Sequence, residues 1–168
     1  MPNPIKELAK LTCRAKQIDG MGFGGNAATD NLEVAAILGM ANPYSGKKLY
    51  REAYNLARYA YCADGSTKCF VKSSLLNVLL TADTGKISEV VLLKLVLAAL
   101  REFQHPKTKL AVGGFQVVES YNDSNVANLI GIKRQSLTSK HKALYAMLVN
   151  KINVWSSDAI QHINSHYD

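Results

Sequence analysis

The chain has 168 residues, enough for one well-buried hydrophobic core, so we expect one domain with room for a small appended module. Its 20 lysines and arginines against 13 acidic residues give a formal charge of +7, which favours a polyanionic partner. The sequence has no apolar run long enough to span a bilayer and no signal peptide, so it predicts a cytoplasmic protein without a membrane partner.

Pro and Gly clusters separate several segments in which apolar residues recur at helical intervals. Residues 4–18 are expected to form the first helix, which ends at the glycine-rich sequence "DGMGFGG". Asp30, with Glu33 in the same turn, resembles a capping box and predicts the start of a second helix. Further helices are predicted at 46–62, 71–83 and 87–104.

The segment 87–104 is apolar around most of its helical circumference, which is typical of a helix in the middle of a core. Its best core candidates are Val90, Val91, Leu93, Leu95, Val96 and Leu100. The next segment, 110–121, fits either a short pair of strands or a helix. We favour a helix from Phe115 onward, because a helix there would brace the elements that follow.

The sequence contains no internal repeat and no low-complexity tract. It therefore predicts an all-α, multi-helix domain with a C-terminal helix-turn-helix. Three regions are expected: an N-terminal helix with a Gly-rich linker (1–29), a helical core domain (30–110) and a helix-turn-helix DNA-binding region (111–168).

Patterns that would indicate an enzyme or a metal protein are weak. The glycines of "GMGFGG" have the spacing of a dinucleotide-binding loop, but that loop works only between a strand and a helix, and here a charged amphipathic helix precedes it. The spacing of Cys62 and Cys69 does not match paired zinc ligands, and His162 with His166 lies close to the C-terminus. The sequence therefore predicts a protein that is not an enzyme, with no cofactor and no metal.

From Asp123 onward the spacing fits a helix-turn-helix, which needs a small residue where the helices approach and a glycine in the turn. Ala127 and Gly131 occupy these positions. Apolar residues are expected to fill the angle between the helices, at Val126, Ile130, Ile132 and Leu137. The last apolar position of the pattern is occupied by Lys140, although a buried stripe can continue through His141, Leu144, Tyr145 and Leu148.

Residues 124–157 contain five basic residues and no Asp or Glu. An ordinary solvated helix would mix charges of both signs. We expect phosphate contacts from Lys133, Lys140, Lys142 and Lys151. We expect base contacts from Arg134, Gln135, Ser136 and Thr138, with Ser139 beside them. A helical hairpin that only packs, and a surface that docks another protein, remain alternatives.

The stretch "RQSLTSKHKALYAMLVNKINVWSSDAI" resembles the C-terminal helix-turn-helix of the late-gene antiterminators of lambdoid phages, the Q family. The resemblance is carried by the run Lys142, Leu144, Tyr145, Leu148 and Val149. Earlier in the chain, "LEVAAILGMA" is similar to the family's Gly-Met segment, and "VVLLKLVLAALREF" occupies the place of its long apolar helix. The chain departs from the better-known branch of the family, which has a zinc finger of paired CxxC motifs between the long helix and the helix-turn-helix, because it has only "QHPKTKLAVGGFQ" there.

The resemblance implies a protein that binds double-stranded DNA near a phage late promoter and travels with RNA polymerase through terminators, in the host cytoplasm. The sequence therefore predicts a sequence-specific DNA-binding transcription regulator. A homodimer is compatible with this function. Two alternatives come from other classes: a small terminase-like DNA-packaging or assembly protein, and an adaptor that binds RNA polymerase without recognising DNA.

Overall fold

A computed structural model of the chain describes residues 42–43, 49–61, 65–82, 85–110 and 116–165. The helices predicted at 4–18 and after Asp30, together with Cys62, lie outside the described residues. Within them the protein is mostly helical, which confirms the predicted predominance of helix.

Five helical runs and one strand pair make up the described chain. The first three helices are α1 (Arg51–Tyr61), α2 (Gly65–Leu80) and α3 (Glu89–Gln104). Strands β1 (Lys107–Leu110) and β2 (Gln116–Glu119) follow, and then the short helix α4 (Asp123–Ile130). The last run, α5, consists of an α-helical turn, a π-helical segment and a long α-helix: Arg134–Ser136, Leu137–His141 and Lys142–Asn164.

Helix α2 begins earlier than predicted, at Gly65 and not at Val71. The reason is its buried stripe, which recurs every four residues through Thr67, Val71, Leu75 and Leu79. Because the first residue of this stripe, Thr67, is polar, the pattern of apolar residues alone does not predict that the helix begins before Val71.

The prediction of a helix from Phe115 onward is wrong. Residues Gln116–Glu119 form a strand that pairs antiparallel with Lys107–Leu110, with Lys107 opposite Glu119 and Leu110 opposite Gln116. The adjacent residues Val117 and Val118 are β-branched and favour extended backbone. This local preference accounts for a strand in place of the helix that was expected to brace the following elements.

Two compact units can be distinguished, and they are not consecutive in the sequence. One contains the described residues up to Val71 and those from Ile152 onward, and the other is Lys72–Lys151. The regions expected at 30–110 and 111–168 stay a prediction.

In the first unit, α1 and the end of α5 supply most of the described buried side chains. Ala53, Leu56 and Ala57 of α1 are fully buried, as is Ala159 of α5. The hydroxyl of Tyr50 donates a hydrogen bond to the Asp158 carboxylate, and burial together with this bond raises the pKa of the Tyr50 hydroxyl.

In the second unit, α3 lies against α4. Leu95, Val96 and Leu100 of α3 are buried, as predicted. The core assignments of Val90 and Leu93 are wrong, because these side chains are 64% and 41% exposed, and Val91 is only half-buried. Apolar residues surround most of α3, but the described part of the chain buries only one side of the helix.

Candidate nucleic-acid interface

The turn between α4 and α5 is built around a glycine. Gly131 has φ 77° and ψ 38°, in the left-handed region where a side chain causes strain. Its amide and that of Ile132 both donate to the carbonyl of Ala127, at 2.9 and 3.0 Å, which ends α4. At the other end of α4, the Asn122 side chain accepts a hydrogen bond from the Asn125 amide at 2.9 Å.

Apolar side chains fill the angle between α4 and the start of α5. Val126, Ala127, Ile130 and Leu137 are each at most 2% exposed, and Ile132 is half-buried. The predicted inward positions are therefore confirmed for the first four residues. The packing fixes where the first turns of α5 lie relative to α4.

The π-helical segment explains why Lys140 departs from the apolar pattern. The Lys142 amide donates to the Leu137 carbonyl, five residues back, as in a π turn. A π turn contains more residues than an α turn, which rotates Lys140 farther from the buried side, and Lys140 is exposed whereas His141 is buried. The stripe then continues inward through Leu144 and Leu148, as predicted.

The outward face of α5 carries most of the predicted contact residues. The exposed members are Lys133, Arg134, Gln135, Thr138, Ser139, Lys140, Lys142 and Lys151, whereas Ser136 is half-buried. Because no acidic residue occurs at 124–157, this stretch of the chain contributes no negative side chain to the face. Lys133 occupies the N-cap position without a side-chain cap, so its side chain leaves the first amides of α5 open.

The two exposed hydroxyls of this face are already used as donors. Thr138 Oγ1 donates to the Arg134 carbonyl at 3.0 Å, and Ser139 Oγ donates to the Gln135 carbonyl at 2.8 Å. Each hydroxyl oxygen keeps its lone pairs and can still accept a hydrogen bond. In this arrangement the hydroxyls can accept from a base amino group, but they cannot donate to a phosphate.

Lys142 is engaged by an acidic residue from outside the acid-free stretch. Its Nζ atom lies 3.0 Å from Oδ2 of Asp123, in the first turn of α4. The Lys142 side chain is 58% exposed and that of Asp123 26%, so the attraction is partly screened by solvent. A phosphate approaching Lys142 would have to share it with Asp123.

A buried carboxylate connects α3 with α5 and with the segment that precedes α4. Glu102 of α3 is 7% exposed. Its Oε1 accepts from the Tyr121 amide at 2.9 Å, and its Oε2 accepts from the Tyr145 hydroxyl of α5. Burial, followed by the hydrogen bond to Glu102, raises the pKa of the Tyr145 hydroxyl, so the hydroxyl stays protonated and donates.

Glu102 is not among the residues predicted from the sequence. The available signal was its place in the helical repeat: it follows the buried residues Leu95, Ala98 and Ala99 at intervals that keep it on the same face of α3. The segment preceding α4 is fixed further by the Tyr121 hydroxyl, which donates to the His105 carbonyl at 2.7 Å. Lys107 hydrogen-bonds Asn125 and stands over the Tyr121 ring at 5.7 Å.

His141 is the polar member of the buried stripe. It is 9% exposed, and its Nδ1 atom is buried without a hydrogen-bond partner. Burial, and secondarily the charge of Lys140, lowers the pKa of the imidazole below its ordinary value of 6.5. The neutral imidazole is therefore the form that this environment favours.

Comparisons of the chain with protein-family models, with curated proteins and with solved structures found no match. Over the ranges that the structure describes, no three His, Cys, Asp or Glu side chains group so as to hold a metal ion. No helix in those ranges has the length and apolar character needed to cross a bilayer. What the chain does must therefore be inferred from its own residues.

Proposed function

We propose that this chain is a sequence-specific DNA-binding transcription regulator whose α4–turn–α5 segment acts as a helix-turn-helix. The observation that carries the proposal is the face of α5 at 133–142, exposed and without acidic residues, directly after the glycine turn that sets the helix against α4. Helices presented in this way enter the major groove with their first turns.

The proposed roles follow from exposure and hydrogen-bonding capacity. Arg134 and Gln135, both exposed in the first turn, are proposed to recognise base edges, because their side chains can form paired hydrogen bonds there. Lys133 and Lys140 are proposed to contact phosphates. Thr138 and Ser139 are assigned as acceptors, since their hydroxyl protons are held by backbone carbonyls.

The other predicted contacts have narrower roles. Ser136 is half-buried, which favours a supporting position over direct contact with a base. Lys151 lies roughly 25 Å farther along α5 than Arg134, at 1.5 Å per residue. It would therefore contact phosphates beside the recognised site. Lys142 contributes to phosphate binding only as far as Asp123 releases it.

Within this class we propose a phage late-gene antiterminator that acts with RNA polymerase. Support comes from the resemblance of "RQSLTSKHKALYAMLVNKINVWSSDAI" to the last helices of the Q family and from the apolar helix that precedes them. The chain lacks the paired CxxC finger, so the proposed activity must be possible without zinc.

Two experiments test DNA recognition and antitermination separately. Selection of bound duplexes from random DNA should yield one enriched sequence, and the loss of that enrichment in the Arg134→Ala/Gln135→Ala variant would assign recognition to α5. Transcription through a terminator, from a template carrying the selected site, should increase when the protein is added. Enrichment without increased read-through would keep DNA recognition and reject antitermination, and no enrichment would reject both.

A further inference from the structure

Helix α3 has an exposed face that no described part of the chain covers. Glu89, Leu93, Leu97 and Arg101 lie four residues apart along it, and all four are exposed. Leu93 and Leu97 are 41% and 42% exposed, and Val90 beside them is 64% exposed. Three large apolar side chains in one short stripe are more than isolated surface residues and indicate a contact surface.

This stripe is separate from the core of α3. The buried side chains of the helix include Leu92, Leu95 and Ala99, which the helical repeat places on the other side of α3. Residues four apart form a ridge on a helix, and such ridges on two helices can interdigitate. The ridge Glu89–Leu93–Leu97–Arg101 is thus a preformed packing surface with an acid at its first position, two leucines and a base at its last.

We propose that α3 is the contact surface for a second copy of this chain, packed antiparallel about a two-fold axis. In that arrangement Leu93 lies beside Leu97 of the second copy, and Glu89 lies beside Arg101 of the second copy. The two-fold axis repeats both contacts, so the ridge is complementary to itself. Within the described residues neither Glu89 nor Arg101 forms an ion pair that would compete.

Charge selects the antiparallel direction. A parallel pair would place Glu89 beside Glu89 and Arg101 beside Arg101 of the second copy, so two like-charged contacts would oppose it. Glu89 and Arg101 also lie in the first and last turns of α3, where they complement the helix dipole, but the dipole gives no reason for the exposed leucines. The leucines need a covering surface, and the charges fit a second α3.

A contact made by one helix face is smaller than a standard interface of about 800 Å² per partner, so the dimer should be weak. We expect a dissociation constant on the order of 1–100 μM, with dissociation on dilution. The dimer does not depend on the proposed function. If the chain also recognises DNA, a two-fold dimer predicts a site made of two related half-sites.

Sedimentation equilibrium of the full chain, with two single charge reversals, tests the proposal. Wild type should show a monomer–dimer equilibrium. Glu89→Arg and Arg101→Glu should each weaken it at least about tenfold, because each converts two attractive contacts into two repulsive ones. The double variant Glu89→Arg/Arg101→Glu should restore dimerisation, and an equimolar mixture of the two single variants should form a heterodimer.

Two further variants complete the experiment. Lys68→Glu, an exposed charge reversal on α2, is the matched control and should leave the equilibrium unchanged. Leu97→Asp should abolish dimerisation, and far-ultraviolet circular dichroism verifies that each variant is folded. Each single reversal opposes the helix dipole and so can lower helix stability. The double variant carries both changes, so restored dimerisation in that variant supports the proposal regardless of this effect.

A monomer at every concentration would overturn the proposal, since the stripe would then be covered by another part of the chain or by a different protein. A dimer whose dissociation constant is the same in the Glu89→Arg and Arg101→Glu variants would also overturn it, because the contact would lie elsewhere. Failure of DNA selection with an intact charge-swap result would reject the proposed function alone.

Discussion

The Nζ atom of Lys142 on α5 lies 3.0 Å from Oδ2 of Asp123 on α4. This ion pair connects the two helices of the proposed DNA-binding segment and holds one of its basic side chains. Asp123 therefore lowers the positive charge that a phosphate would meet at Lys142.

Asp123→Asn should release Lys142 and strengthen binding to every duplex by about two- to fivefold at low salt, because an exposed pair is worth up to about 1 kcal/mol. The plot of log affinity against log salt concentration should become steeper, by up to the amount expected for about one additional phosphate contact. Lys142→Ala should act in the opposite direction. If the affinity of wild type and of both variants depended equally on salt concentration, Lys142 would not be a phosphate contact.

Gly131→Ala should destabilise the fold by about 1–2 kcal/mol, because alanine is strained at φ 77°. A Cβ atom at this position meets nothing within 4 Å, so the cost comes from the backbone alone. Gly65→Ala is the control, since Gly65 has equal space and no left-handed backbone. Chemical denaturation measures both, and equal stability of the two variants would contradict the role of the turn.

Tyr145→Phe should lower the free energy of unfolding by about 1–3 kcal/mol, because it leaves Oε2 of the buried Glu102 without its hydroxyl donor. Tyr121→Phe is a matched control: it removes only an exposed hydrogen bond to the His105 carbonyl and should cost less. A Tyr121→Phe loss equal to or larger than that of Tyr145→Phe would show that the buried carboxylate is not the link between α3 and α5.

Stability should fall as the pH falls through 6.5, because the pKa of His141 is lowered in the folded state. The unfolded state then binds more protons than the folded one in this range, so the stabilisation is complete above 6.5 and is lost below it. His141→Leu, which continues the stripe of Leu137 and Leu144, should flatten this dependence. Denaturation midpoints from pH 8 to pH 5 measure this dependence. An unchanged slope in His141→Leu would exclude His141 as the cause.

The sequence predicted the α4–turn–α5 segment best, because its requirements are local. A left-handed turn needs Gly131, and the angle between helices needs small and apolar side chains at Ala127 and Leu137. Lys140 could not be explained in the same way. A pattern of apolar positions does not record a π turn, which rotates Lys140 away from the buried side, although the inward position of His141 is predicted by the stripe.

Other differences arise from long-range packing. The apolar circumference of α3 does not indicate which side is buried, so the predicted core positions Val90 and Leu93 are wrong. Glu102 shows the reverse: a charged residue is buried because Tyr121 and Tyr145, distant in sequence, supply hydrogen bonds to its two oxygens.

Recognition of DNA by α5 is tested by measuring how wild type and Arg134→Ala bind the selected duplex and a random duplex at the same salt concentration. Arg134→Ala should lose about 1–3 kcal/mol on the selected sequence and much less on random DNA, with relaxed preference at one base position. Lys68→Ala, outside the proposed interface, should change neither affinity. An equal loss on both duplexes, or no binding of wild type to any duplex at low salt, would contradict recognition of DNA by α5.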